Sequence, residues 1–156
     1  MALVSSPYTP QDVSFSDLLI SSYQKIVGEP LVPDEVSGAA AAEWLYHAPF
    51  GLLAQDTSPD PQFVYANLAA QRRFEYSWQE FMGTPSRLSA EPQNQDQRQA
   101  FMDSVLKQGY VTGYQGPRIA KSGRRFLIQD VTVWNLTDAD GTLRGQGALI
   151  RRWSDA

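Results

Sequence analysis

Between Tyr110 and Trp153 the sequence carries only two reversal signals, Lys121-Ser122-Gly123 and Asp138-Ala139-Asp140-Gly141. The runs on either side are rich in β-branched and aromatic residues, which fit a pleated, half-buried surface. The spacing predicts three strands near residues 110–119, 124–136 and 142–153, joined as consecutive hairpins. An antiparallel meander of that length must bury at least one face, so the residues before Tyr110 have to supply its cover.

Those residues contain the material. Ser14-Phe15-Ser16-Asp17 opens a helix on which Phe15, Leu18, Leu19, Tyr23, Ile26 and Val27 recur at helical spacing, and Gly28 and Pro30 stop it. A second helix runs from about Val36 to His47 and ends at Pro49. Phe50 to Asp56 and Phe63 to Ala66 read as strands around a Pro/Asp turn. Asn67 caps a short helix ending near Phe74, and Ser77-Trp78-Gln79-Glu80 is a capping box. Asn94 opens a longer helix with Phe101, Met102, Val105 and Leu106 on its apolar face and Gly109 just past its end. The expected fold class is α/β (α+β): a five-stranded antiparallel sheet with helices on one face and N-terminal helices capping the other. The expected organisation is a flexible N-terminus over 1–13, a helical cap over 14–48 and the main domain over 49–153.

Composition narrows the function. At 156 residues, 42% hydrophobic and 19% charged, the chain fits one ordinary globular domain. The absence of cysteine excludes disulfides, a thiolate nucleophile and thiolate-held metal. The single histidine, His47, sits at a helix end, where a cation favours the dipole, and no Ser/His/Asp set is built around it. No metal site, and no enzyme, is expected. No apolar run approaches the ~20 residues of a membrane span, and no basic residue precedes an apolar stretch at the N-terminus, so a cytoplasmic protein without membrane contact is expected. A pI near 4.9 argues against nucleic acid as a partner. Residues 1–60 hold eight carboxylates against the lone cation Lys25, whereas residues 61–156 hold twelve cations against nine carboxylates.

The element order, with Tyr65-Ala66-Asn67-Leu68-Ala69-Ala70, Phe74, Tyr76-Ser77-Trp78, Glu80-Phe81 and Gly83, resembles the PAS domain. A closer resemblance is to the PAS-related MEKHLA family. It is carried by Ser22-Tyr23, Gly28-Glu29-Pro30-Leu31, Ala48-Pro49-Phe50, Asp60-Pro61, Pro85-Ser86-Arg87-Leu88-Ser89-Ala90-Glu91, Ser122-Gly123-Arg124-Arg125-Phe126 and Thr132-Val133-Trp134-Asn135-Leu136. These motifs span roughly residues 14–152. The same domain closes the plant class III homeodomain–leucine zipper factors, but no homeodomain or zipper stands in this sequence, so their DNA-binding role does not carry over. The resemblance implies a sensory or regulatory module.

It also implies departures. Pro85-Ser86-Arg87-Leu88 stands where the flavin-binding, light-sensing PAS subfamily has Asn-Cys-Arg-Phe, so Ser86 replaces the photoreactive cysteine. Arg118 and Ile128 stand where that subfamily has flavin-bonding asparagines. Haem-binding relatives take their histidine from the long helix or near it, and residues 94–108 contain none. Neither flavin nor haem is expected as a cofactor.

The candidate site follows from strand faces. If Lys121-Ser122-Gly123 is a three-residue loop with Gly123 left-handed, as the light-sensing relatives imply, Arg118 lies opposite Phe126. Alternation then puts Tyr114, Arg118, Phe126, Ile128, Asp130 and Trp134 on the helix-facing side with Phe101, and puts Tyr114 opposite Asp130. The outer side receives Val111, Ile119, Leu127, Val131 and Val133. Arg118 and Asp130 either pair with each other, or Arg118 anchors an anion or carbonyl in an otherwise apolar pocket. Arg87 is a further candidate for an anionic ligand. The outer apolar face predicts a homodimer with the 14–48 helices near its interface. The function expected is a small-molecule-binding sensory module. The alternatives are an interaction domain with a self-filled core, or a small enzyme using Asp130 with Tyr114 or Arg118.

Overall fold

A computed structural model of the chain describes residues 9–156. Helix α1 (Val13–Ile26) and α2 (Gly38–Tyr46) precede strands β1 (Gly51–Gln55) and β2 (Phe63–Ala66). Helices α3 (Leu68–Phe74) and α4 (Trp78–Phe81), two 3-10 turns and α5 (Gln95–Gln108) follow, then β3 (Tyr110–Ile119), β4 (Arg125–Thr137) and β5 (Leu143–Asp155). The five strands form one sheet in the order β2-β1-β5-β4-β3, every neighbour antiparallel. The C-terminal meander thus docks its last strand against the first hairpin.

Local chemistry explains the boundaries. Asp12, not Ser14, caps α1, its carboxylate accepting from the Phe15 N–H at 2.7 Å. The expectation of a flexible stretch over residues 1–13 falls largely outside the described residues. Asn67 caps α3 and also ties three elements together. Its Oδ1 accepts from Leu52 and Ala70 N–H, while its Nδ2 donates to the Leu45 and Phe50 carbonyls. The Ser77–Glu80 capping box forms as the sequence requires.

Two cores sandwich the sheet. On one face Phe74, Phe81, Met102 and Val105 from α3–α5 meet Phe63, Phe126, Ile128, Val131, Val133 and Ile150. On the other, Phe15, Leu19 and Tyr23 of α1 and Leu45 of α2 cover Leu52, Tyr65, Trp134, Leu136 and Leu149. The second face is therefore closed within the chain.

The register explains which expectations hold. Gly123 has φ +92°, and Arg118 lies opposite Phe126. Alternation survives as far as Ile128. Asp130 then takes φ +51° and inserts a bulge, so Ile128 and Val131, three residues apart, face the same core. A matching irregularity at Gly113, φ +70°, lies on β3. Beyond the bulge every side chain changes face relative to strict alternation. Val131 and Val133 belong to the α5 core, and Thr132 and Trp134 turn to the α1 side. Tyr114 pairs with Val131, not Asp130. The expected apolar outer face loses three of its five residues, since Val111, Val131 and Val133 turn to the α5 core, and α1 covers part of that side of the sheet.

Candidate functional site

On the α5 side the two layers do not fill the space between them. A cavity of about 40 Å³ remains, with Arg98, Phe101 and Met102 of α5 above it and Tyr114, Arg118, Ile128 and Val131 of the sheet below. That volume holds a few waters or a small functional group. Most of the lining is apolar, with Leu53, Phe63, Phe74, Val133 and Ile150 completing the walls.

Its polar groups are two arginines, the amides of Gln55 and Gln146, and the hydroxyls of Tyr114 and Ser89, the last donating to the Ser86 carbonyl. Arg98 and Arg118 are each only 7% exposed. The Arg118 Nη1 donates to its neighbour's carbonyl, Pro117 O, at 2.7 Å, and Nη2 donates to the Tyr114 hydroxyl at 3.3 Å. Arg98 donates through Nη2 to Gln55 Oε1 at 3.2 Å, and its Nε has no partner among the described residues. No carboxylate pairs with either guanidinium among the described residues, and residues 1–8 contain no Asp or Glu. Burial, and then the nearby Arg118 charge, push the Arg98 guanidinium down to about 10.

Gln55, Gln146 and Asn135 are cross-strand neighbours on β1, β5 and β4. Gln55 Nε2 donates to Gln146 Oε1 at 3.1 Å, and Gln146 Nε2 donates to Asn135 Oδ1 and to the Met102 carbonyl of α5. Ser86 donates its hydroxyl to Gln55 Oε1 at 2.5 Å. The row links the cavity's end to the backbone of the helix above it.

Tyr114 and Phe101 form the cavity's half-buried wall, their rings stacked with centroids 3.8 Å apart and planes 12° from parallel. The Arg118 guanidinium lies 5.6 Å from the Tyr114 ring centroid. Gly116 makes this possible, because a Cβ there would overlap the Tyr114 hydroxyl.

Of the eight residues the sequence singled out, Phe101, Tyr114, Arg118 and Ile128 line the cavity. Phe126 is fully buried in the same core, against Phe74, but outside the lining. Three belong elsewhere. Trp134 lies on the α1 face, donating its indole N–H to Ser22 Oγ at 3.0 Å, because the Asp130 bulge reverses the strand. Asp130 itself is exposed, its carboxylate 3.9 Å from Arg151 Nη1, so neither the Arg118–Asp130 pair nor an acid–tyrosine–arginine catalytic set is assembled. Arg87 forms a two-point surface pair with Asp60 at 3.1 and 3.3 Å. Arg98 was the important omission. It precedes Phe101, Met102 and Val105 by three, four and seven residues, which places it on the buried helix face.

A five-stranded antiparallel sheet with this helix arrangement is the PAS-like fold. The PAS domain of a Colwellia psychrerythraea protein shares it at TM-score 0.62 and 16% identity, over 74% of this chain and 92% of that one. A structure from work on a flavin analogue in a light-oxygen-voltage domain matches at 0.59 and 21%, over 70% and 82%. An RNA-binding light-oxygen-voltage receptor matches at 0.64 and 19%, over 79% of this chain but 36% of the receptor. No curated protein sequence matches at a significant level. The chain belongs to the MEKHLA domain family, whose pattern it matches over residues 13–155. The match takes in α1 and α2 as well as the sheet. No helix among the described residues is long and apolar enough to cross a membrane.

Proposed function

We infer that this PAS-like sensory or regulatory domain binds a small molecule in the cavity between α5 and the sheet and reports its occupancy to a partner chain. The observation that carries this is the pair of buried, carboxylate-free arginines in an otherwise apolar chamber. Buried cations without counter-charge destabilise a fold, and a few convergent polar groups in an apolar pocket characterise ligand sites. The Gln55–Gln146–Asn135 row gives occupancy a route to the α5 backbone, and the half-buried Phe101–Tyr114 wall gives it a route to the surface. Catalysis is not part of this reading, since Asp130, the acid of the expected catalytic set, is exposed and lies toward Arg151.

The flavin of the light-sensing relatives is a poor candidate. A 40 Å³ cavity with two cationic groups would have to be rebuilt around an isoalloxazine, and the sequence lacks cysteine. The same small volume favours one competing reading, an interaction domain whose core is filled by its own side chains. Native mass spectrometry of the freshly purified chain, compared with denatured protein, separates the two. A retained small molecule is expected. Bare protein whose thermal stability responds to no small-molecule class would favour the self-filled core.

A further inference from the structure

We propose that the ligand is an organic acid, its carboxylate held between the Arg98 and Arg118 guanidiniums and its apolar remainder packed against Phe63, Ile128 and Val131. This rests on the reading of the cavity as a ligand site and names the chemistry it selects. Arginine's planar fork matches a carboxylate's two oxygens, and charge-assisted bonds of this kind are the strong ones. Arg98 supplies an unpartnered Nε–H, and both guanidiniums otherwise bond only neutral acceptors, a glutamine amide, a phenol and a peptide carbonyl. A carboxylate therefore gains two cations without displacing an existing anion.

Phosphate fits less well. The Ser89 hydroxyl, which lines the cavity, already donates to the Ser86 carbonyl, and the Ser86 hydroxyl to Gln55. The apolar walls favour a hydrocarbon remainder over a second polar head. A cavity of 40 Å³ accommodates the carboxylate and little more, so a longer acid enters by parting the Phe101–Tyr114 stack. The ligand class and the opening of that wall are thus coupled.

The test is calorimetric titration and thermal melting of the intact chain with hexanoate and benzoate, against hexanamide, benzamide and inorganic phosphate. The acids should raise Tm in a dose-dependent way and bind at least about tenfold more tightly than their amides. Arg98→Met and Arg118→Met should each weaken acid binding by about tenfold or more, whereas Arg87→Gln at the surface pair should leave it unchanged. Amides or phosphate binding as tightly as the acids would overturn the proposal, as would acid binding that survives both cavity substitutions. If either variant fails to fold, the acid–amide comparison on the unaltered protein decides alone. A neutral molecule retained through purification, with the acids silent, defeats the acid assignment but leaves the ligand site standing. Silence of every probe, with nothing retained, defeats both.

Discussion

Arg98 and Arg118 reach the same cavity from opposite layers, one from helix α5 and one from strand β3, and neither meets a carboxylate among the described residues. Two buried like charges on facing elements oppose folding unless something anionic lies between them. The site is thus set up at the expense of the ligand-free fold.

Arg98→Met should accordingly stabilise the ligand-free protein, by about 1–3 kcal/mol, because a similarly shaped apolar chain replaces a desolvated cation. The linkage sign agrees. The folded-state pKa, near 10, lies below the unfolded value, so the unfolded chain binds more protons between the two and stability rises only above about pH 10. At neutral pH the cost is present in full. Urea melts at pH 7 check this, and a loss exceeding about 1 kcal/mol would contradict it.

Asp130→Asn should leave stability within about 0.5 kcal/mol, since the carboxylate is exposed and only loosely near Arg151. Asp130→Val should cost about 1–2 kcal/mol, because a β-branched residue resists φ +51°. Had Asp130 been the buried partner of Arg118, the asparagine variant would lose about 3–5 kcal/mol. Chemical denaturation of the two variants distinguishes the cases.

Ser22→Ala should destabilise by about 1–3 kcal/mol by leaving the buried Trp134 indole N–H without an acceptor. Acid affinity should not change, since Trp134 lies on the α1 face. A silent substitution in melts monitored by tryptophan fluorescence would place the indole elsewhere.

Gly116→Ala should push the Tyr114 ring off Arg118 and break its stack with Phe101, costing about 1–3 kcal/mol. Truncating the obstacle in Gly116→Ala/Tyr114→Leu should recover part of that loss. A strictly additive double-mutant cycle would show that the two residues do not compete for the same space.

The sequence revealed the sheet because local signals agree there: Gly123 and Gly141 mark the reversals, and the spacing of Phe15, Leu19 and Tyr23 marks the cover. The face of Arg118 is legible because it lies only a few residues from Gly123, which sets the register opposite Phe126. Trp134 and Asp130 depart from the alternating pattern because the bulge falls on an aspartate, and nothing in that pattern announces a left-handed aspartate. Arg98 was hidden for a different reason. A charged residue at a core position of a polar helix reads as solvated face until the facing layer is seen. Gln55 and Gln146 stand 91 positions apart and meet only through the pairing of β1 with β5, which no local signal encodes.

The most direct measurement is NMR observation of the arginine Nε–H groups in isotope-labelled protein during titration with hexanoate. The Arg98 Nε–H, without a partner among the described residues, should move downfield and saturate together with the Arg118 signal as the carboxylate is captured. Arginine signals in the cavity that stay fixed throughout the titration would contradict the account.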